Sequence, residues 1–153
     1  MPSDIIMLRY SFPQIVLQEV PDEISLALSI SGCPLKCRGC HSAFTWDQTF
    51  GDDLTDKVLH DLIKKHKHIS CVLLYDGLHN VDRLIELFNI VKSYELKTAL
   101  YTGLDSISPE LEKVVDYLKV GPYIKELGNL QQPTTNQRMY YRGSDITYKF
   151  IRK

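Results

Sequence analysis

Cys33, Cys37 and Cys40 stand in the segment GCPLKCRGCH with the spacing CxxxCxxC. A loop this short lets three thiolates converge on one centre. Gly32 and Gly39 allow the backbone to fold tightly around it, and Pro34 stiffens the first turn. The count of three is the informative feature. A structural zinc site or an electron-transfer cluster normally closes with four protein ligands. A four-iron, four-sulfur cubane held by three cysteines leaves one iron open to an outside molecule, which implies substrate chemistry at the metal. The alternative is a zinc site of Cys3His type with His41 as fourth ligand and Lys36 and Arg38 as solvated neighbours. Against it, adjacent residues such as Cys40 and His41 rarely aim at one metal, and the gap of three then two departs from the paired CxxC of zinc ribbons. The fourth cysteine, Cys71, lies in the apolar run CVLLY and reads as a core residue.

The rest of the chain must position that loop. With 153 residues, 44% apolar and 24% charged, it reads as a single domain over 1–153 that can bury its own core. A net charge of -1 gives no basic field for nucleic acid or anionic lipid, so neither is expected as a partner. No run approaches the ~18 apolar residues of a membrane helix, and Pro2, Ser3 and Asp4 stand where a signal peptide would be basic. A cytoplasmic location is therefore expected. Thiols stay reduced there, which favours metal binding or catalysis over disulfides.

Ile24, Leu26, Leu28 and Ile30 alternate with small polar residues, which predicts a strand over 23–31 with the cysteine loop (32–41) leaving its C-terminal end. Leu54, Val58, Leu59, Leu62 and Ile63 fall at helical spacing, and Cys71 to Tyr75 read as a buried strand ending at Asp76-Gly77. Asn80 can cap a helix carrying Leu84, Ile85, Leu87, Phe88 and Val91, and Lys97 to Tyr101 follow as a strand ending at Thr102-Gly103. Ser108 and Pro109 open a further predicted helix with Leu111, Val114, Val115 and Leu118 inward. From Gly121 to the C-terminus the chain reads as an irregular segment, 121–153, with Ile146 to Ile151 as a final edge strand. Such alternation predicts an α/β fold with a mostly parallel sheet, whose ligands gather at the C-terminal ends of the strands. The cysteine loop, the Asp76-Gly77 turn and the Thr102-Gly103 turn should then share one rim.

The CxxxCxxC loop directly after the first predicted strand resembles the signature of the radical S-adenosylmethionine superfamily. The stretch SISGCPLKCRGCHSAFTWD, together with LYTG (100–103), GPYIKELGNLQQPTTNQR (121–138) and the terminal DITYKF, is similar to the activating proteins of anaerobic ribonucleoside-triphosphate reductase. The similarity runs over nearly the whole chain.

The resemblance implies a partial (β/α) barrel of the radical S-adenosylmethionine type. It implies a [4Fe-4S] cluster on Cys33, Cys37 and Cys40, with S-adenosylmethionine bound to the open iron through its amino and carboxylate groups. His41 would lie against the adenine, with Tyr101 and Thr102 on the cofactor side of the rim; their alternatives are a loop histidine fixing a carbonyl and a core aromatic. Trp46 reads as a packing anchor. The family's usual Gly-Gly-acid turn is replaced here by LLYDGLHN, so Asp76 and Gly77 either receive the methionine amino group or form an ordinary Asp-Gly turn. No catalytic residue beyond the cluster ligands is assigned. The implied activity is reductive cleavage of S-adenosylmethionine and generation of a glycyl radical on the large subunit of anaerobic ribonucleoside-triphosphate reductase. An external one-electron donor such as a flavodoxin would supply the electron. The competing functions are a radical enzyme acting on a small molecule and a non-enzymatic iron-sulfur or zinc binding protein.

Overall fold

The structure, a computed structural model, describes residues 8–17, 19–31, 51–122 and 124–150. In chain order these form β1 (Arg9–Leu17), β2 (Ile24–Ile30), β3 (Asp52–Asp53), α1 (Asp56–Lys65), β4 (Cys71–Tyr75), α2 (Val81–Ser93), β5 (Lys97–Tyr101), α3 (Pro109–Glu112), β6 (Tyr117–Val120), β7 (Arg138–Tyr141) and β8 (Ser144–Asp145). The strands make one open sheet in the order β3-β1-β2-β4-β5-β6-β7-β8. Its centre, β2, β4, β5 and β6, is parallel. Both flanks are antiparallel, so the sheet is less parallel than the sequence predicts.

Central strands of a parallel sheet are apolar on both faces, which is why CVLLY and KTALY carry so few polar residues. One face carries Leu26, Leu28, Ile30, Val72, Leu74 and Leu100, packed against Leu59 and Ile63 of α1 and Leu84, Leu87, Phe88 and Val91 of α2. Each helix begins at a side-chain cap, and the sequence predicts those at Asn80 and Ser108. Thr55 Oγ1 accepts from Val58 N at 3.1 Å, Asn80 Oδ1 from Arg83 N at 3.2 Å, and Ser108 Oγ from Leu111 N at 3.4 Å. The opposite face carries Ala27, Cys71, Leu73, Ala99, Tyr101, Tyr117 and Met139, covered by Val20, Leu130 and Ile146. No α-helix among the described residues contributes to this second core.

Three expectations need correction. A strand precedes the one at 24–30: β1 pairs antiparallel with β2, so the cysteine loop follows the second strand of the chain. The helix opened by Ser108 and Pro109 ends at Glu112, and Leu118 lies on β6. Asp116 N donates to Thr98 O at 3.0 Å, which pulls the chain into the sheet beside β5 before a second helical turn can form. Finally, Thr147–Phe150 is a 3-10 turn instead of an edge strand, and the strands of this region are β7 and β8. Side-chain turn bonds override the alternating pattern: Asp145 Oδ1 accepts from Thr147 N at 2.8 Å, and Thr147 Oγ1 accepts from Met139 N at 2.9 Å.

Candidate metal centre and cofactor rim

Cys33, Cys37, Cys40, His41 and Trp46 lie outside the described residues; the residues that flank their segment are described. Ser31 N, at the end of β2, donates to Arg9 O at 3.0 Å. Where the chain returns, the Arg9 guanidinium donates to Gly51 O and to Asp53 Oδ1, the latter at 2.8 Å. Both flanks are thus tied to one residue of β1. Gly51 is required at the return: its φ is +93°, and a Cβ there would lie 2.2 Å from Tyr10 O.

The parallel registers fix what stands beside that segment. Ser29 pairs with Tyr75, Tyr75 with Tyr101, Tyr101 with Lys119, and Lys119 with Met139. These five residues form one row across the sheet, with Tyr101 and Met139 on the face that carries no α-helix. Paired residues share a face, so the whole row lies on it. One step further along, the chain turns at Ser31, Asp76-Gly77, Thr102 and Gly121. These turns are laterally bonded: Asp76 N donates to Tyr101 O at 2.7 Å, Thr102 N to Lys119 O at 2.9 Å, and Gly121 N to Leu104 O at 2.7 Å. The expected common rim exists for the strand ends described here.

Asp76 and Gly77 both have positive φ, +71° and +106°. The Asp76 carboxylate is buried, and its Oδ1 accepts from Gly77 N at 2.9 Å and Leu78 N at 3.4 Å. One carboxylate oxygen therefore builds the turn. A Cβ on Gly77 would meet Leu84 Cδ2 at 3.0 Å and Ile30 Cγ2 at 3.3 Å, so glycine lets the turn press onto α2 and the end of β2. Thr102 is buried, and its Oγ1 accepts from Leu104 N at 3.1 Å. Tyr101 donates its hydroxyl to Glu19 O, and its ring meets that of Tyr75 edge-on at 5.7 Å. Burial pushes both phenols up, so both stay neutral.

Lys119 was not singled out in the sequence. Its Nζ sits 5.1 Å from the centre of the Tyr101 ring, and burial lowers its pKa against the opposing pull of Glu19. Among the described residues no carboxylate is within ion-pair distance of it. Lys97, at the other end of the strands, contrasts with it by pairing with buried Glu23 at 3.0 Å, and Tyr117 Oη donates to the same carboxylate at 2.8 Å. The signal for Lys119 was available as a lone cation in the run YLKV before Gly121-Pro122. A helical reading of Leu118 hides the face that Lys119 takes on the strand.

Cys71 is fully buried in the helix-free core, and burial pushes its thiol up to about 12. It is a packed thiol and unsuited to ligation at neutral pH. Among the described residues no group of three or more His, Cys, Asp or Glu could hold a metal. The donor set that suits an iron-sulfur cluster is the trio Cys33, Cys37 and Cys40. Its thiolates match that group, and the segment bearing them springs from β2 at the rim.

No curated protein matches the chain. The model of one family, described as a 4Fe-4S single cluster domain, matches residues 24–145. That span includes the cysteine loop, the whole parallel centre of the sheet and the rim turns; the chain belongs to the 4Fe-4S single cluster domain family.

Proposed function

We propose that the chain is a radical S-adenosylmethionine enzyme that activates anaerobic ribonucleoside-triphosphate reductase. In this reading Cys33, Cys37 and Cys40 hold a [4Fe-4S] cluster, and the open sheet acts as a partial barrel. The single observation that carries it is the shared rim: the strand that launches the cysteine segment is in parallel register with the strands ending at Asp76-Gly77 and Thr102. A cluster held by these cysteines would supply the electron for reductive cleavage of the sulfonium of S-adenosylmethionine to methionine and a 5'-deoxyadenosyl radical, which would take hydrogen from a glycine.

The protein's own residues bind and orient. Lys119 offers a half-buried cation to the methionine carboxylate, and the second oxygen of Asp76 faces the task of receiving the amino group. His41 would lie against the adenine, with Tyr101 and Thr102 on the cofactor side; the neutral Tyr75 and Tyr101 rings would keep water from the row beneath the rim. The sheet is open, which leaves the rim accessible and favours a glycine loop of a partner protein entering there. The electron comes from an external donor such as a flavodoxin, in the cytoplasm.

The test is to mix the reconstituted, reduced protein with S-adenosylmethionine and an anaerobic ribonucleotide reductase. Expected are 5'-deoxyadenosine and an organic radical on the reductase, both absent with Cys37→Ala. Cofactor cleavage without a reductase radical, stimulated by small metabolites, would move the function to a small-molecule radical enzyme.

A further inference from the structure

Lys64, Lys65, His66, Lys67 and His68 follow one another where α1 ends. Cations in the last turn of a helix complement its dipole, which accounts for Lys64 and Lys65. Lys67 and His68 lie beyond the C-cap at His66, where that effect has faded. The three lysines are exposed and make no ion pair among the described residues. Asp61, one turn back on α1, is paired with Lys57 at 2.8 Å. By contrast Arg83, Lys92, Lys97 and Arg142 each hold a carboxylate. On a chain whose formal net charge is -1, the run is a local excess of positive charge.

The same run borders a cavity of about 320 Å³. Ile63, Ile69, Leu96 and Tyr94 form its apolar wall. Lys64, His66 and Lys67 complete the lining, which includes no Asp or Glu. His60 Nδ1 shares a hydrogen bond with the Tyr94 hydroxyl, and the two rings lie 5.5 Å apart, which holds Tyr94 at the wall. Ile69 leads into β4 and Leu96 into β5, so the cavity lies at the N-terminal ends of these strands. A five-residue strand separates it from the rim, roughly 16 Å away.

We propose that this surface docks an acidic segment of a partner protein, with one apolar side chain of that segment seated in the cavity. Charge complementarity sets the sign of the partner. The positive surface continues past the cavity to Lys65 and His68, so it suits an extended run of acids better than one small anion. The apolar wall recedes instead of projecting, with Ile63 at 5% and Ile69 at 8% exposure. A recess of this kind receives an anchoring side chain, whereas binding to a bilayer calls for apolar side chains that enter it. The inference does not depend on the S-adenosylmethionine reading, and a partner docked here leaves the rim free.

The experiment is fluorescence anisotropy of a labelled peptide of Asp and Glu with one central Leu, titrated with the full chain. Two further peptides carry Ser in place of Leu, or Asn and Gln in place of the acids. The acidic Leu peptide is expected to bind and to weaken as salt rises. The Ser peptide should bind about tenfold more weakly, the loss of one buried aliphatic side chain, and the uncharged peptide should not bind. Lys64→Glu combined with Lys67→Glu should weaken the Leu peptide at least tenfold, and Lys113→Glu, an exposed lysine outside this cavity, should leave it unchanged. If the double variant does not fold, Lys67→Glu alone, placed past the end of α1, carries the comparison. Absence of binding by the acidic Leu peptide, equal binding of the Leu and Ser peptides, or unchanged affinity in the lysine variants overturns the inference. Vesicles of phosphatidylserine bound through Lys64 and Lys67 in place of the peptide would assign the surface to a membrane and overturn it. A dimer that the same variants dissociate would assign it to a second copy of the chain, with the same consequence.

Discussion

Asp76 combines a structural duty with a proposed chemical one, and the two are separable because its oxygens differ. Oδ1 caps Gly77 and Leu78. An asparagine keeps that acceptor and tolerates the positive φ of +71°. Asp76→Asn is therefore expected to melt close to the parent while weakening S-adenosylmethionine binding by about 1.5–3 kcal/mol, the range for a bond to a charged group. Unchanged affinity, read by calorimetry, would leave Asp76 with the turn alone. Lys119 carries the opposite trade. Its pKa is lowered in the fold by burial, so between that value and the ordinary ~10.4 the unfolded chain binds more protons and stability rises with pH. Below that window the penalty is constant; above it the penalty is gone. Lys119→Met should accordingly melt higher than the parent at pH 7.5, by a margin that narrows toward pH 10, and should bind S-adenosylmethionine more weakly. A lower melting temperature together with normal binding would contradict the role given to this amine.

At the scale of elements, the turn from α3 into β6 depends on Asp116. Its Oδ2 accepts from Thr98 N at 3.0 Å, Lys92 Nζ lies 3.4 Å away, and Arg142 Nε donates to Oδ1 at 3.1 Å. Burial pushes the carboxyl up, and the Thr98 amide and the two cations outweigh it, so its pKa ends below the usual carboxylate value. Much of the cationic pairing is screened, since Arg142 is 62% exposed. Asp116→Asn should cost about 1–3 kcal/mol at pH 7 in urea unfolding. A lowered carboxyl pKa contributes stability above its unfolded value of about 3.9 and loses it as pH falls through the folded value, so the difference should fade below about pH 4. This same carboxylate explains why sequence periodicity misjudged the region. Leu111, Val114, Val115 and Leu118 fit a helix, and a long-range bond to β5 decides otherwise. β4, β5 and α2 were legible because apolar runs and the Asn80 cap are local signals. β1 was not, since its bulge between Ser11 and Gln14 breaks the period of two.

At the scale of the molecule, four parallel strands deliver their C-terminal ends to one rim, and antiparallel ribbons flank them on an open sheet. No helix among the described residues is long and apolar enough to cross a membrane. The three-cysteine motif was legible outright, because ligand type and spacing are properties of the sequence. The polar row of Tyr75, Tyr101 and Lys119 required register. The central claim is that the cluster on Cys33, Cys37 and Cys40 has one iron open to S-adenosylmethionine. Its most direct test is low-temperature electron paramagnetic resonance of the reconstituted, reduced protein, recorded before and after S-adenosylmethionine is added. The account predicts a reduced four-iron signal whose g values shift when S-adenosylmethionine is added. A four-iron signal that the ligand leaves unchanged, or a native protein holding zinc and giving no signal, would contradict it.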